Sequence, residues 1–285
     1  MALSFNEGYR AISLAYVAYG RPEEREQFAS NVYSYLSSFN IDSYVGICFG
    51  KYSRVVDFSH RSAKIASFHL GKIQQKMEED GIQCSFSTVL CKPFKTTIVH
   101  SKEKLSVYAY TFLKPIGDSF NYSGVLSLCK EICEGNLNID IEAYWNNSLY
   151  PLIIITRGRN YQDTVESIVR LRKQSETAVD SSSYITLRVD SRTHEPVQDE
   201  VNGKVFAIFF SKLAALSKID VTQTRLPSAQ SVLPNPVQSL GWYDVCDYLS
   251  FNNLYELYQY GQKLKNESRG NITFTSTLLL GGKTS

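Results

Sequence analysis

Three features of this 285-residue chain predict an α+β fold of three tandem ferredoxin-like (βαββαβ) domains. A tight turn entering an apolar strand recurs about every 95 residues, and strand-period and helix-period runs follow one another in the same order around each turn. The strands are also apolar at most positions instead of at every second one, which means that both faces of each sheet are covered. The sheets are therefore expected to pack face to face.

The recurring turn is Gly50, Lys51, Tyr52 before Arg54 to Phe58 in the first copy, and Leu149, Tyr150 before Leu152 to Ile155 in the second. In the third it is Gly241, Trp242, Tyr243, Asp244 before Val245 to Leu249. Tyr52 and Tyr150 are 98 residues apart and Tyr150 and Tyr243 are 93 apart, so three units account for nearly the whole chain.

In the first copy Ala11 to Tyr19 reads as a strand, stopped by Gly20 and Pro22. A helix follows over Glu23 to Phe39, with Phe28, Val32, Leu36 and Phe39 on one face and acidic residues in its first turn. Ile41 to Phe49 and Tyr52 to Phe58 form a hairpin around Gly50, Ser62 to Glu79 a second helix ending at Gly81, and Gln83 to Leu90 the closing strand. The second copy repeats the order: Leu105 to Leu113, helix Ser123 to Glu134, Leu137 to Trp145, Leu152 to Thr156, helix Tyr161 to Ser175, and Ser183 to Val189. Asn160 with Asp163, and Asn253 with Glu256, have the spacing of helix N-caps and align the second and third copies.

The third copy opens with Lys204 to Phe210, a short helix around Lys212 to Ile219 and a strand from Val221 to Arg225. Pro227, Pro234 and Pro236 then rule out a continuous central strand. Tyr243 to Phe251, helix Leu254 to Lys265 and Asn271 to Leu280 restore the pattern. The domains are accordingly expected at 8–92, 104–190 and 203–282, the last with a Pro-rich insertion at 220–240, and the linkers at Cys91 to Lys104 and Ser191 to Gly203. Three sheets leave one without a partner, which predicts homo-oligomer formation through sheet faces and an even assembly.

The composition, 43% hydrophobic and 20% charged, is that of a globular chain, and the net charge of +2 gives no electrostatic footprint for nucleic acid. The N-terminal residues lack the pattern of a secretory signal and no run reaches 18 apolar residues, so a cytoplasmic location without membrane contact is expected. Cys48, Cys84, Cys91, Cys129, Cys133 and Cys246 lack the paired short spacings of a zinc site and read as buried thiols. His60, His69, His100 and His194 stand at no ligand spacing, and the chain carries no phosphate-binding loop and no nucleophile elbow. No catalytic residue, no metal and no cofactor is therefore predicted, and an enzyme is disfavoured. His60 is the one histidine worth testing as an axial ligand or general base.

The segment Gly241, Trp242, Tyr243, Asp244, Val245 resembles the Gly-x-Tyr-Asp turn of the effector-binding (RAM) half of the leucine-responsive and asparagine-type (Lrp/AsnC) transcription regulators. The closing strands Ser87 to Leu90 and Thr275 to Leu279 are similar to the end of that domain. The resemblance implies dimeric α/β barrels with a cleft for a small amino-acid-like effector near the turn. By that likeness Gly50 and Gly241 would offer backbone donors, Tyr52 and Tyr243 would wall the cleft, and Asp244 would meet an amino group. The helix-turn-helix of those regulators is absent and the second copy lacks the Gly and Asp, so DNA binding is not carried over. The function expected is non-enzymatic regulation or scaffolding. The alternatives are a dimeric α/β-barrel enzyme of haem or monooxygenase type, and an RNA-binding protein with RRM-like domains, for which Tyr52 and Phe58 would have to be exposed.

Overall fold

A computed structural model describes residues 8–17, 22–50, 52–98, 107–115, 121–146, 149–175, 179–193, 204–213, 226, 230–231, 236–238, 243–267 and 272–280. The chain divides into two compact units, one of residues 1–48 and 52–199, the other of residues 49–51 and 200–285.

In the first unit the elements are β1 (Tyr9–Val17), α1 (Pro22–Ser38), β2 (Ser43–Cys48), β3 (Arg54–His60), α2 (Ala63–Glu79) and β4 (Cys84–Ile98). There follow β5 (Val107–Pro115), α3 (Tyr122–Gly135), β6 (Ile139–Trp145), β7 (Leu152–Gly158), α4 (Tyr161–Ser175) and β8 (Val179–Arg188). Each half is thus βαββαβ, as the sequence predicts. The halves are not separate domains packed together. Their eight strands close one barrel in the order β1-β3-β2-β8-β5-β7-β6-β4.

The 98-residue spacing of the landmark tyrosines is the register offset between the halves. Ala11 pairs with Phe58 on β1·β3, and adding 98 to both numbers gives the pair Ala109 and Thr156 on β5·β7. The two seams that close the barrel do not keep this symmetry: Ile47 lies opposite Leu187, but its equivalent Trp145 lies opposite Lys92, three residues beyond the equivalent of Leu187. The helix starts obey the same offset: Ser62 accepts the Ile65 amide at 3.4 Å, and Asn160 accepts the Asp163 amide at 2.8 Å. Gly50, in the β2–β3 turn, has φ +127, a conformation that glycine adopts without strain.

The first part of the linker predicted at Cys91 to Lys104 is a strand instead, and residues 99–104 lie outside the described residues. Residues 92–98 continue β4 and pair with β6, although Pro93 lies among them. The ladder is irregular between Pro93 and Thr97, where the proline without an N–H is accommodated. Locally this segment reads as a linker. Barrel closure supplies the partner that makes it a strand.

The strand faces alternate between two cores. Leu113, Ile139, Ile141, Leu152 and Ile154 pack with Leu128, Ile132 and Cys133 of α3 and Leu171 of α4 in one cluster. The barrel interior holds Ile12, Leu14, Tyr44, Val55, Tyr110, Phe112, Tyr144, Ile153 and Ile155. Among these apolar side chains sit two buried ion pairs, Arg10 with Asp57 and Arg157 with Glu142.

In the second unit β9 (Val205–Leu213) lies between β12 (Val245–Phe251) and β13 (Ile272–Leu280). The short β10 (Gln230–Ser231) and β11 (Val237–Gln238) both pair with β12. Helix α5 (Leu254–Glu267) covers one face through Leu254, Leu257, Tyr260 and Leu264. The predicted helix at Lys212 to Ile219 is not formed at its start, where Lys212 and Leu213 belong to β9, and the remainder lies outside the described residues. So does the strand predicted at Val221 to Arg225.

The Arg10–Asp57 pair sets a test of the barrel. Removing one member leaves a buried charge without its partner, so Asp57→Ala is expected to lower stability by about 3–5 kcal/mol in chemical denaturation. A loss under about 1 kcal/mol, the range of a solvated surface pair, would contradict the assignment.

Candidate functional site

The barrel interior concentrates the ionisable side chains, and they engage one another. The Arg10 guanidinium bonds both oxygens of Asp57, one of them at 2.7 Å, and the Tyr110 hydroxyl donates to Asp57 at 2.9 Å. The ring of Tyr44 stacks on that of Tyr108 at 4.1 Å, and the Arg157 guanidinium lies over Tyr108 at 5.3 Å. Arg157 reaches Glu142 at 2.5 Å, Tyr144 donates to Glu142 at 2.8 Å, and Arg10 lies over the Tyr144 ring at 5.9 Å, which closes the circuit. Burial alone would lower the Arg10 pKa, but Asp57, Tyr144 and Glu142 together outweigh it and raise the guanidinium above its ordinary value. Burial likewise raises Tyr44 and Tyr110, so both stay protonated at neutral pH. This arrangement holds charge inside an apolar barrel.

Of the residues singled out from sequence, Tyr52 is half-buried against the barrel core, edge-on to Tyr184 at 5.4 Å. Tyr150, its counterpart, meets Phe112 at 5.9 Å. Gly241 lies outside the described residues. Tyr243 packs on Phe210 at 5.3 Å. Asp244 accepts the Leu213 amide at 2.9 Å and stands 3.6 Å from Lys212 Nζ, so its carboxylate anchors the end of β9. Phe58 is 1% exposed and faces away from solvent, which removes the base-stacking surface an RRM-like reading needs.

His60 and His69 come together with ring centroids 6.0 Å apart. The Ser62 amide donates to His60 Nδ1 at 3.0 Å, which gives that imidazole a helix-start role. His69 is buried among Phe39, Phe58 and Phe68 and shares a 3.0 Å hydrogen bond with the Tyr35 hydroxyl. Among the described residues no group of His, Cys, Asp and Glu has the arrangement of a metal site.

An open space lies elsewhere, between α2 and β4. This groove of about 480 Å³ is lined by Ser67, Leu70, Gly71, Gln74, Phe86, Thr88, Val89, Leu90 and Asn146, and its volume falls in the range of small-molecule clefts. It exists where β4 passes beyond β6, since β4 pairs with β6 only from Lys92 onward. Gly71 sits inside α2, where glycine costs about 1 kcal/mol relative to alanine. A Cβ at Gly71 would meet nothing within 4 Å, so no neighbouring atom requires the glycine. At the 98-residue offset the second half carries Val169. The sequence reading passed over this site, although Gly71 against Val169 was visible once the offset was known.

No protein-family model matches the chain, and no curated protein matches it in sequence. Its fold has solved counterparts. A variant of chlorite dismutase from Candidatus Nitrospira defluvii superposes with TM-score 0.52 at 9% identity, covering 66% of this chain and 94% of that one. A second variant of the same enzyme gives 0.51 at 10% identity, with coverage of 66% and 94%. A heme-binding protein from Thermus thermophilus gives 0.46 at 10% identity, with coverage of 65% and 92%. The likeness to the chlorite dismutases defines a class of fold, an antiparallel α/β barrel with helices outside.

These neighbours correct the assignment to Lrp/AsnC-type RAM domains, and with it transcription regulation. The Gly-x-Tyr-Asp likeness was confined to a turn, and a turn favours Gly and Asp whatever the family. The first two copies build a single barrel of the chlorite dismutase kind instead.

The groove does not fit haem, the cofactor of the haem-type alternative. Iron in haem is held by His, Cys, Met or Tyr, and none of these lines the groove. In the second half the space between helices and sheet is filled by Leu113, Leu128, Ile132, Ile141, Leu152 and Ile154. Cys129 and Cys133 also lie there, but burial pushes both thiols up to about 12, which keeps them protonated and poor ligands. His100 and His194 lie outside the described residues.

His69 provides a pH test. Burial, then the neighbouring His60, lowers its pKa below the ordinary 6.5, so the unfolded chain binds the proton more tightly than the folded one. Stability should be full above about pH 6.5 and fall as pH drops through that value. Thermal unfolding of wild type and His69→Leu at pH 8 and pH 5 measures this, and the wild type is expected to lose more on acidification than the variant. Equal losses would remove His69 as the cause.

Proposed function

We propose that this chain is a small-molecule-binding α/β-barrel protein of the enzyme type, with its ligand in the groove between α2 and β4. This reading replaces regulation or scaffolding and takes the alternative that the barrel favours. It is the metal-free branch of that alternative, because no haem ligand lines the groove among the described residues.

Gly71 is the observation that carries the proposal. A glycine in the middle of a helix weakens it, and neither a close contact nor a left-handed backbone conformation accounts for this one. The space its missing side chain leaves is the groove itself. Leu70, Phe86 and Leu90 supply an apolar floor, and Ser67, Gln74, Thr88 and Asn146 supply polar groups around it.

Two substitutions at Gly71 separate binding from folding. Gly71→Ala should raise stability by up to about 1 kcal/mol by helix propensity and leave the groove mostly open. Gly71→Phe should keep the fold, as circular dichroism and thermal unfolding report, while filling the groove. A screen of small organic molecules by thermal shift is expected to find hits on wild type and Gly71→Ala that Gly71→Phe loses. Hits that persist on Gly71→Phe would place binding elsewhere.

We further infer self-association through the sheet of the second unit. Along β12 buried and half-exposed residues alternate, and Cys246, Tyr248 and Ser250 form the half-exposed row, continued on β9 by Phe206 and Phe210. An aromatic sheet face of this kind suits pairing with its own copy. Sedimentation should give an even assembly for wild type and monomer for Tyr248→Glu. A wild-type monomer at micromolar concentration would overturn this inference.

A further inference from the structure

We propose that the groove between α2 and β4 takes an uncharged, largely apolar organic molecule with one hydrogen-bonding edge, a class that excludes organic acids, amines and haem. The proposal rests on the reading of that groove as the ligand site.

The lining decides the charge. Every polar side chain recorded in the groove is neutral: the hydroxyls of Ser67 and Thr88 and the amides of Gln74 and Asn146. No cation among the described lining residues would compensate an acid, and no carboxylate would hold an amine. Gln74 also donates to the Glu78 carboxylate at 3.3 Å. Taking a charged group out of water without a partner is strongly unfavourable, whereas neutral donors and acceptors can be matched one for one.

The walls decide the rest. Leu70, Phe86 and Leu90 present apolar surface from opposite sides, one from the helix and two from the strand. The side chain of Val89 packs with the barrel core, on the other face of β4 from Phe86 and Leu90, so its share of the lining comes from the strand backbone. A molecule seated there meets a helix face, an aromatic ring and a strand edge, with amides at Gln74 and Asn146. Propionate-bearing porphyrins find neither an iron ligand nor a basic residue among the described lining.

A matched pair of fluorescent probes tests the class on the full-length protein. N-phenyl-1-naphthylamine is uncharged, and 8-anilino-1-naphthalenesulfonate is the same skeleton with one sulfonate. The neutral probe is expected to bind one per chain, at least about tenfold more tightly than the sulfonate, a difference of about 1.4 kcal/mol. Gly71→Phe should weaken its binding by about tenfold or more, and Gly71→Ala should preserve it. Comparable affinity for the sulfonate, equally sensitive to Gly71→Phe, would overturn the neutral class and leave the groove as the site. Binding of either probe that ignores Gly71→Phe, or no binding at all, would overturn the site and the class together. Haemin added to wild type should give no stoichiometric Soret shift. A shift that Gly71→Phe abolishes would overturn the exclusion of haem.

Discussion

Charge that enters the interior of an eight-stranded barrel must enter in pairs, because the wall leaves no route to water and the surroundings cannot solvate it. Arg10 with Asp57 and Arg157 with Glu142 obey that constraint, and Tyr110 and Tyr144 add a hydrogen bond to each carboxylate. The pairs also tie the halves together. Tyr110 on β5 bonds Asp57 on β3, and Arg10 on β1 lies over Tyr144 on β6, so the two halves meet in the lumen as well as along the seams. A buried ion pair adds little net stability over an apolar core, but it penalises every arrangement in which the partners are apart. Each pair lies within one half, so the contacts that depend on how the halves align are the Tyr110 bond to Asp57 and the stacking of Arg10 on Tyr144.

Outside the barrel, the described residues form the groove between α2 and β4. Shear between the halves lets β4 run past the end of β6, and α2 stands over the uncovered stretch. The groove lies where that stretch is uncovered, and Gly71 is part of its wall. Val169 stands at the equivalent point of the second half.

Much of this was legible in the sequence. The spacing of Tyr52 and Tyr150 is the register offset within the halves, both predicted Asn caps form, and Cys48, Cys91, Cys129 and Cys133 are buried thiols, while Cys84 and Cys246 are half-buried. What could not be read was what the strands close upon. Pro93 and Lys92 look like linker because nothing local shows that β6 will lie beside them. Asp244 looked like a ligand contact because an acid at a turn has the same sequence appearance whether it meets an amine or, as here, the amide of Leu213. The groove escaped notice because glycine inside a helix is a weak signal until the other half shows what could stand there.

The constant offset also exposes how far the halves have diverged. At 98 residues along, Arg10 corresponds to Tyr108, Asp57 to Ile155, Tyr44 to Glu142 and Ser59 to Arg157. Two identical halves could not make this lumen, since each would bring the same charge to symmetry-related points, and any residue chosen for one half would be imposed on the other. Covalent joining lifts that obligation. Either half is free to change a residue without imposing the same change on its twin, so a demand met at one point of the barrel costs nothing at the equivalent point of the other half.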